Sequence, residues 1–249
     1  MLGYFIGQVY KYRLSVCIQN LSRAFPSFSY QEISEQSRRF YTNFGRILWE
    51  GMFPRFVKLR ISETTSDVLQ GTVQKEQPIV LLLGHYGNWE ILSKLPQHTS
   101  IPVQALYKPL KNKILNRFLY RKRSQYGVRL LPAGQALRIL MKEKQRASIT
   151  FFIADQFPGH NRGLTVHFLH QATRMFVGAE QLAKRLNAYV GYVELQRTGK
   201  NVWTLDIKPI CEYAGKTANG YVTETFAHML EESIQKDPSW WLWTHRRWK

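Results

Sequence analysis

The chain has 249 residues, 44% of them hydrophobic, so it can bury a sizeable core, and no linker, low-complexity tract or internal repeat divides it. Cys17 and Cys211 lie too far apart to suggest a disulfide framework or a zinc-ligand cluster. Thirty-five Lys and Arg against 17 Asp and Glu give a formal charge of +18, which implies a polyanionic partner, and an aromatic content of 14% suits a membrane interface and single-stranded nucleic acid equally.

Residues 1–25 contain no acid. Leu2, Phe5, Val9, Tyr12, Val16 and Leu21 recur at roughly helical spacing, which predicts an N-terminal amphipathic helix. Its apolar runs are far shorter than the roughly 20 residues a spanning helix needs. No short basic head precedes an apolar core, so no secretory signal is expected. A helix lying in an anionic leaflet and a helix packed on the domain both fit, and they are compatible. Residues 26–249 then read as one domain.

Ser29 and Glu32 have capping-box spacing, and a helix rich in aromatics follows to about Pro54. After a helix at 66–75 comes the run Ile79-Val80-Leu81-Leu82-Leu83, a buried strand that ends in Gly84-His85. Asn88 is placed to cap a helix that runs to about Pro96. Strands are expected at 103–107, 128–131, 147–153 and 189–195, with 202–207 as an antiparallel edge. Helices are expected after the basic segment 108–113, at 134–144, at 176–186 and at 221–235. A loop rich in breakers spans 157–163. The alternation predicts an α/β fold with a mainly parallel central sheet flanked by helices. His85 and Asp155, at the ends of two apolar strands, would share one edge of that sheet. The basic segment also follows a strand, where open α/β sheets place ligands, so an anion-binding role stands beside the reading of a solvated face.

No G-x-S-x-G elbow, P-loop, G-x-G-x-x-G fingerprint or H-E-x-x-H helix occurs. What remains is His85 with Glu90 five residues on. A histidine held by a carboxylate is a competent general base near neutral pH, and with no Ser or Cys nucleophile beside it the hydroxyl would come with the substrate. The alternative is a structural histidine that caps a strand. Three functions follow from the residues: transfer to a substrate hydroxyl, hydrolysis by the same dyad, and nucleic-acid binding by the basic surface, for which no recognisable module is present.

His85-Tyr86-Gly87-Asn88-Trp89-Glu90 resembles the H-x-x-x-x-D/E motif of glycerolipid acyltransferases, and more specifically the bacterial lipid A biosynthesis (lauroyl/myristoyl) acyltransferase family. Asn20-Leu21 through Pro26, Tyr107-Lys108-Pro109-Leu110, Arg123 with Tyr126-Gly127, Asp155-Gln156 with Pro158, and Trp241-Leu242-Trp243 through Lys249 are similar to family blocks in the same order, over nearly the whole chain. The resemblance implies a glycerol-3-phosphate-acyltransferase-like fold. It also implies transfer from an acyl thioester, on acyl carrier protein or CoA, to a hydroxyl of a lipid acceptor. A lipid A precursor is the leading acceptor; a lysophospholipid, aminolipid or glycolipid is the alternative. His85 would be the base and Glu90 its orienting partner. Arg123, or the backbone amides after His85, would stabilise the oxyanion. Asn88, Asp155 and Gln156 would build the site or contact the acceptor, and Lys108, Lys111 and Arg121 would hold phosphates or carrier-protein acids. The aromatic helix at 40–53 would line a groove for the acyl chain. No cofactor, metal or nucleic-acid partner is implied. The expected location is the cytoplasmic face of the bacterial inner membrane, peripheral or monotopic. His170 stands where relatives often carry Asn, and the family's longer hydrophobic N-terminal anchor is replaced by the short amphipathic stretch.

Overall fold

The structure is a computed structural model that describes residues 2–143, 147–159 and 163–248. The end of the helix expected at 134–144, positions 160–162 of the breaker-rich loop, and Lys249 lie outside the described residues. The chain forms a mixed α/β fold around a seven-stranded sheet of order β1-β9-β8-β2-β5-β3-β4. Its strands are β1 (Lys58–Ile61), β2 (Ile79–Leu83), β3 (Val103–Tyr107), β4 (Arg129–Pro132), β5 (Ile149–Ile153), β8 (Tyr189–Gly199) and β9 (Val202–Cys211). Every pairing is parallel except that of β8 with β9. Helices lie against the sheet: α2 (Leu14–Ala24), α3 (Tyr30–Met52), α4 (Glu63–Gln74), α5 (Lys113–Ser124), α6 (Ala136–Lys142), α7 (Gly178–Leu186) and α8 (Tyr221–Lys236), after a single N-terminal turn, α1 (Leu2–Tyr4).

β2 is central because all five of its side chains are apolar and all are buried. A strand buried on both faces needs helices above and below it, which a parallel sheet with crossover helices supplies. Two apolar layers result. One holds Val80, Leu82, Phe152, Val190 and Leu230; the other holds Ile79, Leu81, Leu83, Phe151 and Leu205. The capping box at Ser29 is present: Glu32 accepts from the Ser29 amide at 2.7 Å, and Ser29 Oγ accepts from the Glu32 amide at 3.3 Å.

Several elements differ from the sequence expectation, among them β1, for which no strand is expected. The stretch 1–25 is not one helix: Lys11 and Arg13 have φ of 49° and 51°, which breaks it before α2. The face of α2 that carries Cys17, Leu21 and Ala24 is buried in the core, so this half of the stretch packs on the domain. The segment after His85 is a 3-10 helix, Trp89–Gln97, instead of an α-helix, and Asn88 does not cap it. Lastly, strand 202–211 is not an edge, because β1 pairs on its far side, and an unexpected hairpin forms from β6 (Leu164–Phe168) and β7 (Gln171–Met175). The two turn residues of that hairpin, Leu169 and His170, both have positive φ, 50° and 62°. Two such residues in a two-residue loop match the twist of the flanking strands, and Asn or Gly fits there best. His170 is therefore a turn residue.

Candidate active site

The site grows out of the register between β2 and β5. Leu83 stands opposite Ile153, and the Ala154 amide donates to the Leu83 carbonyl at 3.0 Å. His85 and Asp155 follow at equal offsets, so two neighbouring parallel strands deliver them side by side. His85 Nδ1 lies 2.7 Å from Asp155 Oδ1, and the His85 amide donates to Asp155 Oδ2 at 2.8 Å. Trp241 Nε1 donates to the same Oδ2 at 2.9 Å. Gly84 permits the close fit: a Cβ there would stand 2.6 Å from Leu230 and 3.3 Å from Asp155 Oδ2.

Asp155 is buried, with a side chain 3% exposed against 14% for His85. Burial alone would raise its pKa. The charge of a protonated His85, the hydrogen bonds from His85 and the bond from Trp241 outweigh burial and bring it down to about 2. Asp155 is then an anion at any physiological pH. An anion at Nδ1 keeps the proton on that nitrogen and leaves Nε2 as the acceptor. Gln156 Nε2 approaches His85 Nε2 at 3.5 Å, and the Trp89 ring meets the imidazole edge-on at 4.9 Å.

The C-terminal segment braces this corner. The Leu242 amide donates to the His85 carbonyl at 3.0 Å, the Gly87 amide to the Trp240 carbonyl at 3.1 Å, and Trp241 bridges Tyr86. Below it Arg247 is fully buried, donating to Thr173 Oγ1 at 2.7 Å and Met175 Sδ at 3.0 Å. Burial lowers its pKa to about 10, and the charge of Asp155 acts in the opposite sense. The tail is thus part of the site's frame.

Glu90 does not reach His85. It is held by Arg123 in a two-point ion pair, Nε to Oε2 at 2.9 Å and Nη2 to Oε1 at 2.5 Å. The carboxylate that meets the histidine is Asp155, and the expected oxyanion donor Arg123 is tied to the expected orienting acid. Asn88 is buried and donates to Glu50 Oε2 at 2.6 Å; Trp203 Nε1 donates to the same oxygen at 2.8 Å. Gly87, at φ 67°, turns the chain where a Cβ would meet Leu195 and Trp203 at 3.1 Å. Asn88 therefore ties the loop after His85 to α3.

On the far side of Trp89 from His85 lies a cavity of about 290 Å³, walled by Leu83, Trp89, Tyr107, Leu130, Phe151 and Phe176; His85, Asp155 and Gln156 do not line it. Glu90, Lys108 and Arg123 supply its polar part. Trp89 is shared between the cavity wall and the His85 ring. The expected groove from residues 40–53 does not line it: Phe40 and Tyr41 are core residues, and Trp49, Met52 and Phe53 face outward. Lys111 and Arg121 are exposed and do not line the cavity. Sequence reasoning missed Trp241 as a hydrogen-bond donor to the site, together with Glu50 and Trp203. It had a signal for Asp155 as the partner of His85, since each residue follows a five-residue strand, apolar but for Thr150, by one small residue.

Among the described residues no helix is long and apolar enough to cross a membrane, and no three His, Cys, Asp or Glu side chains converge to hold a metal ion. Among curated protein sequences none matches the chain. The family model for the bacterial lipid A biosynthesis acyltransferases matches residues 1–249, the whole chain, and the protein belongs to that family.

Proposed function

We propose that the protein moves a fatty acyl group from a thioester, on acyl carrier protein or CoA, to a hydroxyl of a lipid acceptor of the lipid A precursor type. The reaction would take place at the cytoplasmic face of the bacterial inner membrane. The observation that carries the reading is a histidine with a buried anion at Nδ1 and an apolar cavity across Trp89. The acceptor hydroxyl gives its proton to His85 Nε2 as its oxygen attacks the thioester carbonyl. The tetrahedral intermediate then expels the thiolate, which takes the proton back from Nε2. Asp155 fixes the ring and offsets the charge of the imidazolium, as the aspartate does in serine-protease triads. Glu90 holds the Arg123 guanidinium at the cavity, where its charge offsets the negative charge that develops on the carbonyl oxygen. The cavity accepts the acyl chain, and Lys108 faces anionic groups of acceptor or donor.

Mass spectrometry of products from an acyl thioester and a lipid acceptor tests the reading. Wild type should give acylated lipid, and His85→Ala should give none while retaining the wild-type circular dichroism spectrum. Free fatty acid with no acylated lipid would mean that the same pair activates water. Wild-type turnover by His85→Ala would remove the base from His85.

A further inference from the structure

Helix α5 is unusual in contributing no buried residue. It is nonetheless fastened on one side. Asn112 Oδ1 caps it by accepting from Ile114 and Leu115 at 3.0 Å. Asn116 Oδ1 accepts from Tyr107 Oη and from the Leu110 amide, Tyr120 meets the Tyr107 ring at 5.9 Å, and Arg123 binds Glu90. Asn116, Tyr120 and Arg123 are spaced i, i+4 and i+7, the spacing of one helix face. That face is turned to the domain. Away from that face stand Ile114 and Phe118, 84% and 44% exposed, with Leu115 at 47% on the flank, Arg117 beside them and Lys113 exposed at the helix start; Tyr120, at the rim of the anchored face, is itself 44% exposed and extends the apolar surface.

A second exposed group adjoins it. At the end of α3 the Trp49 ring stacks on Phe56 at 6.2 Å and meets Phe53 at 5.5 Å, and the Arg55 guanidinium lies over the Phe56 ring at 4.6 Å. Lys122 joins the two groups by donating to the Met52 carbonyl at 3.0 Å. Apart from Glu90, which Arg123 binds, the charge supplied by this part of the chain has one sign, because residues 91–142 hold no Asp or Glu. Exposed aromatic and aliphatic tips mixed with unopposed cations fit a bilayer surface, where rings sit at the headgroup level and cations meet anionic lipids.

We propose that the outward face of α5, together with the aromatic end of α3, docks the protein on an anionic lipid bilayer. The loop before α5 and its last turn carry Lys108 and Arg123 into the cavity lining, so docking through this face brings the site to the membrane. The exposed N-terminal aromatics Tyr4, Phe5 and Tyr10 are the rival surface. The first 22 residues carry two cations, Lys11 and Arg13, whereas α5 carries Lys113, Arg117, Arg121 and Lys122 besides the paired Arg123. The proposal rests on the lipid-acceptor reading for the meaning of the shared cavity, whereas binding is measured with no acyl transfer at all.

The full chain is sedimented with vesicles of equal parts phosphatidylcholine and phosphatidylglycerol, and with phosphatidylcholine alone. Wild type should bind the anionic vesicles preferentially. The double variant Ile114→Glu, Phe118→Glu should bind them at least about tenfold more weakly, and Lys113→Gln, Arg117→Gln should lose about 25-fold, since each cation near an anionic surface contributes about fivefold. All four positions are exposed, so the circular dichroism spectrum and turnover of a detergent-dispersed acceptor should stay at wild-type level. Unchanged vesicle binding by both variants would overturn the proposal. So would loss of binding to an acidic acyl carrier protein with vesicle binding intact. Vesicle binding that depends on α5 in a protein that transfers no acyl group would sink the acyl-transfer reading alone.

Discussion

Two acid–base pairs stand a few residues apart in this protein and are built in opposite ways. Asp155 and His85 form a buried pair at the ends of adjacent strands, fixed by sheet register, by a backbone amide and by Trp241. Glu90 and Arg123 form a partly exposed pair between a 3-10 turn and α5, at the cavity. The first holds a titratable ring with one nitrogen left to accept a proton. The second holds a permanent cation whose direction is set by two parallel bonds. The contrast teaches that the short spacing from His85 to Glu90 does not pair these side chains; the strand seventy residues away supplies the partner.

The sharpest way to break this contrast is to neutralise each acid in turn. Asp155→Asn should lower kcat by about three to four orders of magnitude, the scale seen when the acid of a comparable triad is neutralised. Glu90→Gln keeps a neutral acceptor for Arg123 and should lower kcat by only about tenfold, near 1.4 kcal/mol of weakened charge-assisted bonding. Steady-state kinetics of the two variants, at a temperature where circular dichroism shows both fully folded, checks the order. Equal losses, or a larger loss for Glu90→Gln, would remove the distinction between the pairs.

Loss of a single hydrogen bond should have a smaller effect. Trp241→Phe removes the indole donor from Asp155 and should destabilise the fold by about 2 kcal/mol in chemical denaturation, as expected for a bond to a charged group. A change within about 0.5 kcal/mol would show that the bond does not hold the carboxylate.

A pH series sharpens the comparison further. The pKa of Asp155 is depressed from an ordinary value near 3.8 to about 2. Its ionised form therefore adds stability that is fully present above pH 3.8 and is lost as pH falls through about 2. The gap in stability between wild type and Asp155→Asn should hold its full size down to about pH 4 while His85 is charged and shrink below it, as read by denaturation at each acid pH. A gap that began to close near pH 6 would contradict the depressed pKa.

Much of the frame was legible in the residues. An unbroken apolar run marked β2, a run interrupted only by Thr150 marked β5, and Ser29 with Glu32 marked the start of α3. Placing His85 and Asp155 on one sheet edge followed from parallel strands alone. What hid their direct contact was strand order, since adjacency of β2 and β5 is a long-range property that no local spacing encodes. β1 was hidden because Lys58-Leu59-Arg60-Ile61 is short and half cationic. The β6–β7 hairpin was hidden because its turn, Leu169-His170, adopts positive φ without the Gly or Asn that usually signals it. The helix expected after His85 misled the reading of Glu90: as a 3-10 segment it offers the acid to Arg123. In α2 the amphipathic pattern was correct, but an apolar stripe does not state whether protein or lipid covers it, and here part of it is core.

Nuclear magnetic resonance of the histidine ring N–H protons tests the His85–Asp155 pair most directly. In protein labelled at histidine, a hydrogen-bonded Nδ1–H signal assigned to His85 by its absence in His85→Ala should persist in Glu90→Gln and vanish in Asp155→Asn. A signal that survives Asp155→Asn and disappears in Glu90→Gln would show that Glu90 holds the histidine after all.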